Sequence, residues 1–297
     1  MIYLVLPNPA VEQTAGSHSL AAVAHRERSA DKVRYTVGLK KERDMAGNHA
    51  ADHGRRNFLK LAGCGLGVGA LAARPARARA QATTAPPLKI GMVGAGRMGG
   101  AVGALFVKAG HPVMFSSRHP ENLKDLTTGL GPLAQAGPVA QAVAFGDVVV
   151  MVVPYAALEE IGKAHGRALA TKPLVLDVCN PIARRDGAEL VKWVNEQGGA
   201  GLASAKLLPG ARIVRAFNAI SYRRVGVIAH RPGGLVGVPI AGDDPKAIAL
   251  AEGLIRGIGF EPVLVGGLAM GKFLLPGTPL AEEHTPAEIR QIAAGLR

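Results

Sequence analysis

Hydrophobic and polar positions follow a regular order from residue 88 onward. Residues 88–93 form a short apolar run, and six residues containing three glycines follow it at 94–99. Apolar residues then recur at helical spacing up to Gly110, and a second apolar run begins at Val113. This order predicts a strand, a glycine turn, a helix and a second strand, which together form one βαβ unit.

The same alternation continues along the chain. Further strands are predicted at 148–153, 174–178 and 212–217, and helices at 156–168, 187–196 and 201–208. Continuously apolar strands are typical of a parallel sheet that is covered on both faces. We therefore predict an α/β fold: a single Rossmann-type domain over residues 88–280 with a doubly wound, mostly parallel sheet. Residues 281–297 are predicted to add a small C-terminal extension with one helix, opened by a capping box at Thr285.

The glycine turn has the spacing of a dinucleotide-binding fingerprint. Gly94 permits a tight turn, Gly96 lets a pyrophosphate approach the backbone, and Gly99 lets the helix pack closely on the strand. The candidate pyrophosphate-binding residues are Gly94, Ala95, Gly96, Arg97, Met98 and Gly99. The alternative is a glycine turn with a structural role alone.

The residues after the second strand indicate which dinucleotide binds. An NAD site places an acidic residue there, whereas this chain has Ser117 and Arg118. A planar guanidinium can bind two oxygens of a 2′-phosphate, and the serine hydroxyl can add a third contact. The sequence therefore predicts NADP(H) as the cofactor. The alternative is an arginine on an exposed loop.

Ligands of open α/β sheets bind at the carboxyl ends of the strands. At these ends we expect further cofactor contacts from Val153, Pro154 and Asn180, and substrate contacts from Tyr155, Pro181 and Asn218. An equally open interpretation is that the two prolines only end their strands. No Ser/His/Asp arrangement, close histidine pair or CxxC motif occurs, so we predict neither a dedicated catalytic residue nor a metal site.

The formal charge of +13 does not indicate nucleic-acid binding. Residues 1–80 carry 13 Lys and Arg against 6 Asp and Glu, and residues 81–297 carry 22 against 16. The second part has no basic run interleaved with aromatic residues, which a nucleic-acid surface would show. The chain has two cysteines, Cys64 and Cys179. Only Cys179 would remain if the chain were cleaved before Gln81.

Residues 45–80 have the three parts of an export signal. The sequence from Arg55 to Lys60, RRNFLK, resembles a twin-arginine signal, and a short apolar, glycine-rich stretch follows it. A small-x-small site ends at Ala80, so we expect cleavage before Gln81, a linker over 81–87 and a periplasmic or secreted protein. Cys64 follows the arginines too closely for a lipoprotein signal, so no stable membrane anchor is expected. Residues 1–44 are interpreted as a spurious or disordered extension.

Several motifs in order resemble the NADPH-dependent reductases of the deazaflavin coenzyme F420. The resemblance covers about residues 88–280 and rests on the glycine turn, Gly110-His111, Ser117-Arg118, Val153-Pro154, DVCNP at 177–181, AKLLPG at 205–210, AFN at 216–218 and AGDDP at 241–245. It implies direct hydride transfer between NADPH and a stacked acceptor. That acceptor would be coenzyme F420, a flavin or a ferric complex, and catalysis would consist mostly of positioning.

Two other functions remain open at this point. Imine or keto-acid reductases share the fingerprint, but they normally need a catalytic lysine and a large helical second domain. A non-catalytic Rossmann protein, exported with bound NADP or serving to bind a partner, would also fit. The expected partner is a small-molecule acceptor, and the sequence leaves a homodimer open.

Overall fold

The computed structural model describes residues 87–296. The predictions for residues 1–44 and for the export signal at 45–80 lie outside these residues. The strands are β1 (Ile90–Val93), β2 (Val113–Ser116), β3 (Ala134–Gly137), β4 (Val148–Met151), β5 (Val175–Asp177), β6 (Ile213–Arg215), β7 (Gly237–Gly242) and β8 (Glu261–Gly266). The helices are α1 (Arg97–Lys108), α2 (Lys124–Leu130), α3 (Val139–Phe145), α4 (Leu158–Thr171), α5 (Ala183–Asp186), α6 (Ala188–Glu196), α7 (Ala200–Leu207), α8 (Tyr222–Ile228), α9 (Pro245–Gly257) and α10 (Pro286–Gly295).

All eight strands form one sheet in the order β3-β2-β1-β4-β5-β6-β7-β8. The strands from β3 to β6 are mutually parallel, β7 runs antiparallel to β6, and β8 is parallel to β7. After β1 the chain adds β2 and β3 on one side of β1, and it then crosses over to add β4 on the other side. This reversal of strand order creates a topological switch point beside β1. The predicted doubly wound Rossmann-type sheet is confirmed.

Helices cover both faces of the sheet, as its apolar strands require. Every residue of β4 is completely buried, because helices lie above and below it. Helices α1, α8 and α9 contribute to the core on one face. Helices α3, α4, α6 and α7 contribute to the core on the other.

The C-terminal helix packs on the same sheet. Ile289 of α10 is fully buried with Val263, Leu274 and Leu280. The expected capping box is present, since the Thr285 hydroxyl accepts from the Glu288 amide and the Glu288 carboxylate accepts from the Thr285 amide. Helix α10 therefore contributes a buried side chain to the core on this part of the sheet.

Candidate functional site

A cleft of about 840 Å³ opens at the carboxyl ends of β1, β4, β5 and β6. Residues at the strand ends form the floor of the cleft, and residues 276–283, which precede α10, form one of its walls. The lining residues include Gly96, Arg97, Met98, Gly99, Val152, Val153, Pro154, Val178, Asn180, Ile182, Arg185, Phe217, Asn218, Ala219, Ile220, Ser221, Tyr222, Arg224, Pro276, Gly277, Ala281, Glu282 and Glu283. This is the position in which open α/β sheets bind their ligands.

Close backbone packing shapes the glycine turn at the end of β1. Gly94 has a φ of +103°, and a Cβ there would lie 2.2 Å from the carbonyl oxygen of Val152. A Cβ on Gly99 would lie 1.9 Å from the carbonyl oxygen of Gly94. The amides of Gly94 and Ala95 donate to the hydroxyl and carbonyl oxygens of Ser116, at 3.2 and 2.9 Å. The turn is therefore fixed between α1, β4 and the end of β2.

Gly96 differs from these two glycines because space is open around it. A Cβ on Gly96 would meet no atom within 4 Å, and the residue lines the cleft. Gly96 is also the N-cap of α1, where no side chain caps the helix and no acidic residue occurs in the first turn. The first amide groups of α1 and the positive end of its dipole are thus available to an anion. These features fit the pyrophosphate of a dinucleotide.

Ser117 and Arg118 follow β2, next to the glycine turn. Ser117 is half-buried, and its hydroxyl accepts from the His119 amide at 3.0 Å. Arg118 is exposed and makes no ion pair with any residue of the described range 87–296. Neither residue lines the cleft itself. Their place beside the turn is the one at which an adenosine 2′-phosphate is read in this fold.

The structure brings together most of the predicted floor but not all of it. Val153, Pro154, Asn180 and Asn218 line the cleft, whereas Pro181 is partly buried outside its lining. The prediction that Tyr155 contacts substrate is wrong. Its side chain is fully buried, and its hydroxyl donates to the carbonyl oxygen of Ala200 at 2.7 Å. Tyr155 is the first residue of a 3₁₀ turn that follows Pro154, and its ring packs in the core.

A buried polar network lies beneath this floor. Asp177 and Arg215 are both completely buried, and the guanidinium Nη1 lies 2.5 Å from the carboxylate Oδ2. That same oxygen accepts from the Ser204 hydroxyl at 2.8 Å, and the other accepts from the Cys179 amide at 2.8 Å. A buried charge needs such partners, because its desolvation costs several kcal/mol when it is unpaired.

The network reaches the cleft through two asparagines. Arg215 donates to the carbonyl oxygen of Cys179 at 2.9 Å and to the Asn180 side chain at 3.4 Å. The Asn180 side chain in turn donates to the backbone carbonyl oxygen of Asn218 at 2.5 Å. The Asn218 side-chain nitrogen donates to the backbone carbonyl oxygen of Asp177 at 3.1 Å. The buried ion pair therefore holds both floor asparagines in place.

Burial also keeps two groups near this network in their neutral forms. Desolvation, reinforced by the Asp177 carboxylate, raises the pKa of Tyr155. The same two causes raise the pKa of Cys179 well above its usual value. Tyr155 is therefore a neutral hydrogen-bonding group, and Cys179 is an unreactive buried thiol.

Sequence reasoning missed Asp177, Arg215 and Ser204 as members of one network. A signal was present, because Asp177 and Arg215 are each the charged last residue of an otherwise apolar strand. A charged side chain in a central strand requires a buried partner. Ser204 gave no comparable signal, since a serine in a helix is commonly exposed.

The rim of the cleft carries arginines from several elements. The Arg97 guanidinium lies over the Tyr222 ring at 5.5 Å and donates to its hydroxyl at 3.3 Å. Arg224 of α8 binds Glu283 at 2.5 Å, which ties α8 to the segment before α10. The Glu282 amide also donates to the carbonyl oxygen of Ala219 at 3.2 Å. These contacts hold the C-terminal wall against the floor.

Within 87–296, no group of three or more His, Cys, Asp or Glu side chains is arranged to hold a metal ion. In the same range, no helix has the length and apolar character needed to cross a membrane.

Comparison with known proteins points to the same kind of site. Residues 89–181 match the model of the family described as NADP oxidoreductase coenzyme F420-dependent. No curated protein matches the chain. A hypothetical protein from Sinorhizobium meliloti is similar in structure, with 25% identity, a TM-score of 0.55 and coverage of 66% of this chain and 95% of its own.

A proposed F420-dependent NADP-reductase from Arthrobacter sp. FB24 has the same fold. It is 20% identical, with a TM-score of 0.54 and coverage of 62% of this chain and 87% of its own. The family match spans the glycine turn, the 117–118 pair and the floor up to Pro181, whereas the likeness in fold extends further. Residues 89–181 are therefore similar to the NADP oxidoreductase domain that this family model describes.

Proposed function

We propose that this protein transfers hydride between NADPH and a flavin-like or deazaflavin-like acceptor such as coenzyme F420. A ferric complex accepts single electrons and not hydride, so it would be reduced by the reduced flavin-type acceptor, with two ferric ions consumed for each NADPH oxidised. The observation that carries the proposal is the open, uncapped glycine turn at Gly96, which faces a cleft beside the Ser117-Arg118 pair. This arrangement supports the proposal, because a pyrophosphate site followed by a 2′-phosphate site is the order that NADP requires.

The chain's own residues would act by binding and orienting. Gly96 and the first amides of α1 would hold the pyrophosphate, and Arg118 would bind the 2′-phosphate. Val153 and Pro154 offer an apolar surface at the end of β4 on which a flat ring can rest. Bound NADPH supplies the hydride. Such a transfer needs two rings held face to face, so correct positioning provides most of the rate enhancement.

Deuterium transfer tests the proposal. NADPH labelled at the nicotinamide C4 is mixed with the full chain and with oxidised F420, FMN or ferric citrate, and NADPH absorbance is followed. We expect turnover with at least one ring acceptor. With F420, the label should appear on the ring carbon of the reduced product. Tight NADPH binding without turnover of any acceptor would instead favour a non-catalytic nucleotide-binding protein.

Arg118→Ala is expected to weaken NADPH binding by about 10- to 100-fold and NADH binding by less than about twofold. A charge-assisted contact to phosphate contributes about 1.5–3 kcal/mol, and only NADPH carries that phosphate. Calorimetric titration with both nucleotides measures the difference. Arg184→Ala is the matched control, because it removes the same charge from the exposed face of α5. Equal losses for NADPH and NADH in Arg118→Ala would exclude the 2′-phosphate assignment.

We further propose that the chain is exported through the twin-arginine route with its nucleotide already bound. The support is the order of Arg55-Arg56, the apolar stretch and the small-x-small site before Gln81. Replacing both arginines by lysine should leave the unprocessed chain in the cytoplasm of a host that has this pathway. Cell fractionation with mass determination measures this, and unchanged export of the variant would contradict the proposal.

A further inference from the structure

Two guanidinium groups converge on one hydroxyl at the cleft entrance. Nη1 of Arg97 donates to the Tyr222 hydroxyl at 3.3 Å, and Nε of Arg223 donates to the same oxygen at 3.0 Å. Each guanidinium carbon lies 5.5 Å from the centre of the Tyr222 ring. Arg97 comes from the first turn of α1 and the other two residues from the first turn of α8, so the cluster joins two elements.

Within residues 87–296, no acidic side chain forms an ion pair with this positively charged cluster. In the described part of the chain, neither Arg97 nor Arg223 has a carboxylate within 4.0 Å. The next arginine, Arg224, is different because Glu283 binds it through both carboxylate oxygens. The hydrogen bond from Arg223 and the charges of both arginines lower the pKa of Tyr222. Among the described residues, Glu283 therefore neutralises Arg224 of α8, whereas no carboxylate pairs with its neighbour Arg223.

The position of the cluster indicates which anion it would meet. Arg97 and Tyr222 line the cleft, and Arg97 is exposed. Arg223 is exposed and lies outside the lining, next to it through its hydrogen bond to Tyr222. Since the Tyr222 hydroxyl takes one N–H from each guanidinium, the remaining N–H groups are held in a fixed arrangement. Guanidinium groups placed in this way bind phosphate oxygens with good geometry.

We propose that Arg97, Tyr222 and Arg223 form a phosphate-binding site at the entrance of the cleft. The inference rests on the proposed function, because that function brings phosphate-bearing ligands to the cleft. Two sources share this chemistry: the pyrophosphate of NADPH and the phosphate on the side chain of a flavin-type acceptor. Arg223 is the residue to substitute in the test, because it lies outside the dinucleotide-binding fingerprint that contains Arg97.

Direct binding measurements on the full chain separate the two sources. The ligands are NADPH, FMN and riboflavin, of which the last two differ only by a phosphate group. Flavin binding is followed by fluorescence quenching, and NADPH binding by calorimetry. We expect Arg223→Gln to weaken a phosphate-bearing ligand by about tenfold, with a smaller effect at high salt. Riboflavin binding should change by less than about twofold.

Matched variants control for general effects of charge. Arg167→Gln makes the same substitution at an exposed position of α4, which covers the other face of the sheet, and should leave all three ligands unaffected. Arg223→Lys keeps the charge but loses the fork, so it should recover only part of the affinity. Because Arg223 is exposed, neither substitution at this position removes a core contact.

Each outcome decides between the alternatives. Loss of NADPH affinity alone identifies the pyrophosphate as the occupant, and loss of FMN but not riboflavin identifies the acceptor phosphate. An equal loss for FMN and riboflavin, or no loss for any ligand, would overturn the phosphate site. If wild-type protein bound FMN and riboflavin equally and failed to bind NADPH, both the site and the proposed function would be wrong. If Arg223→Gln left NADPH affinity unchanged and had the same effect on FMN and riboflavin affinity, the phosphate site would be rejected. The proposed function would not be affected by that result.

Discussion

Replacing Asp177 by Ala is expected to lower the free energy of unfolding by about 3–5 kcal/mol. The substitution leaves the Arg215 guanidinium, which is completely buried, without its carboxylate partner. Removing one member of a buried ion pair is costly because the other charge remains desolvated and unpaired. Urea unfolding of the full chain, followed by the fluorescence of its single tryptophan, Trp193, measures the change.

The double replacement Asp177→Leu with Arg215→Met is the matched control. It removes both charges and should be considerably less destabilising than Asp177→Ala, because no buried charge is left without a partner. Glu159→Ala breaks an exposed pair with Lys163 on α4 and should cost about 0.5 kcal/mol or less. A loss for Asp177→Ala as small as that for Glu159→Ala would show that the ion pair is not desolvated.

Gly99→Ala is expected to destabilise the protein by about 3 kcal/mol and to abolish measurable NADPH binding. The new methyl carbon would lie 1.9 Å from the carbonyl oxygen of Gly94, so α1 and the glycine turn would have to separate. Such overpacking usually costs about 1–3 kcal/mol, and this contact is with rigid backbone. The displaced turn would also move the α1 amides away from the pyrophosphate.

Gly100→Ala is the appropriate control because it changes the next residue of the same helix. A Cβ at Gly100 would meet only the methyl groups of Leu126, at 3.8 and 4.0 Å, which is ordinary contact. Alanine also favours helix over glycine by about 1 kcal/mol. We therefore expect unchanged or increased stability and intact NADPH binding. Equal behaviour of the two variants in unfolding and titration experiments would contradict the close packing at Gly99.

The parts of the fold that the sequence predicts are those with strong local patterns. The apolar strands β1, β2, β4, β5 and β6 and the helices α1, α4, α6 and α7 follow from hydrophobic runs and helical spacing. Strand β3 has the sequence AQAG, which has no β-branched or aromatic residue, so its pairing with β2 depends on tertiary context. Helix α9 had a usable signal, since Asp244 caps it and Pro245 opens it.

The candidate site is predicted only where it lies close to a motif. The glycine turn, Val153, Pro154 and Asn180 could be placed because each follows a recognisable strand. Tyr155 was misplaced because adjacent residues of a 3₁₀ turn point in different directions, which a sequence pattern does not resolve. The wall formed by Pro276 to Glu283 could not be foreseen, since it depends on long-range contacts such as that between Arg224 and Glu283.

Calorimetric titration of the full chain with NADPH and with NADH tests the central claim most directly. The preparation must first be freed of co-purified nucleotide, which would otherwise occupy the cleft. We predict that NADPH binds at least about tenfold more tightly than NADH, because only NADPH can place a phosphate at Arg118. Absence of binding by either nucleotide to folded, nucleotide-free protein would contradict it, and the glycine turn would then have a structural role alone.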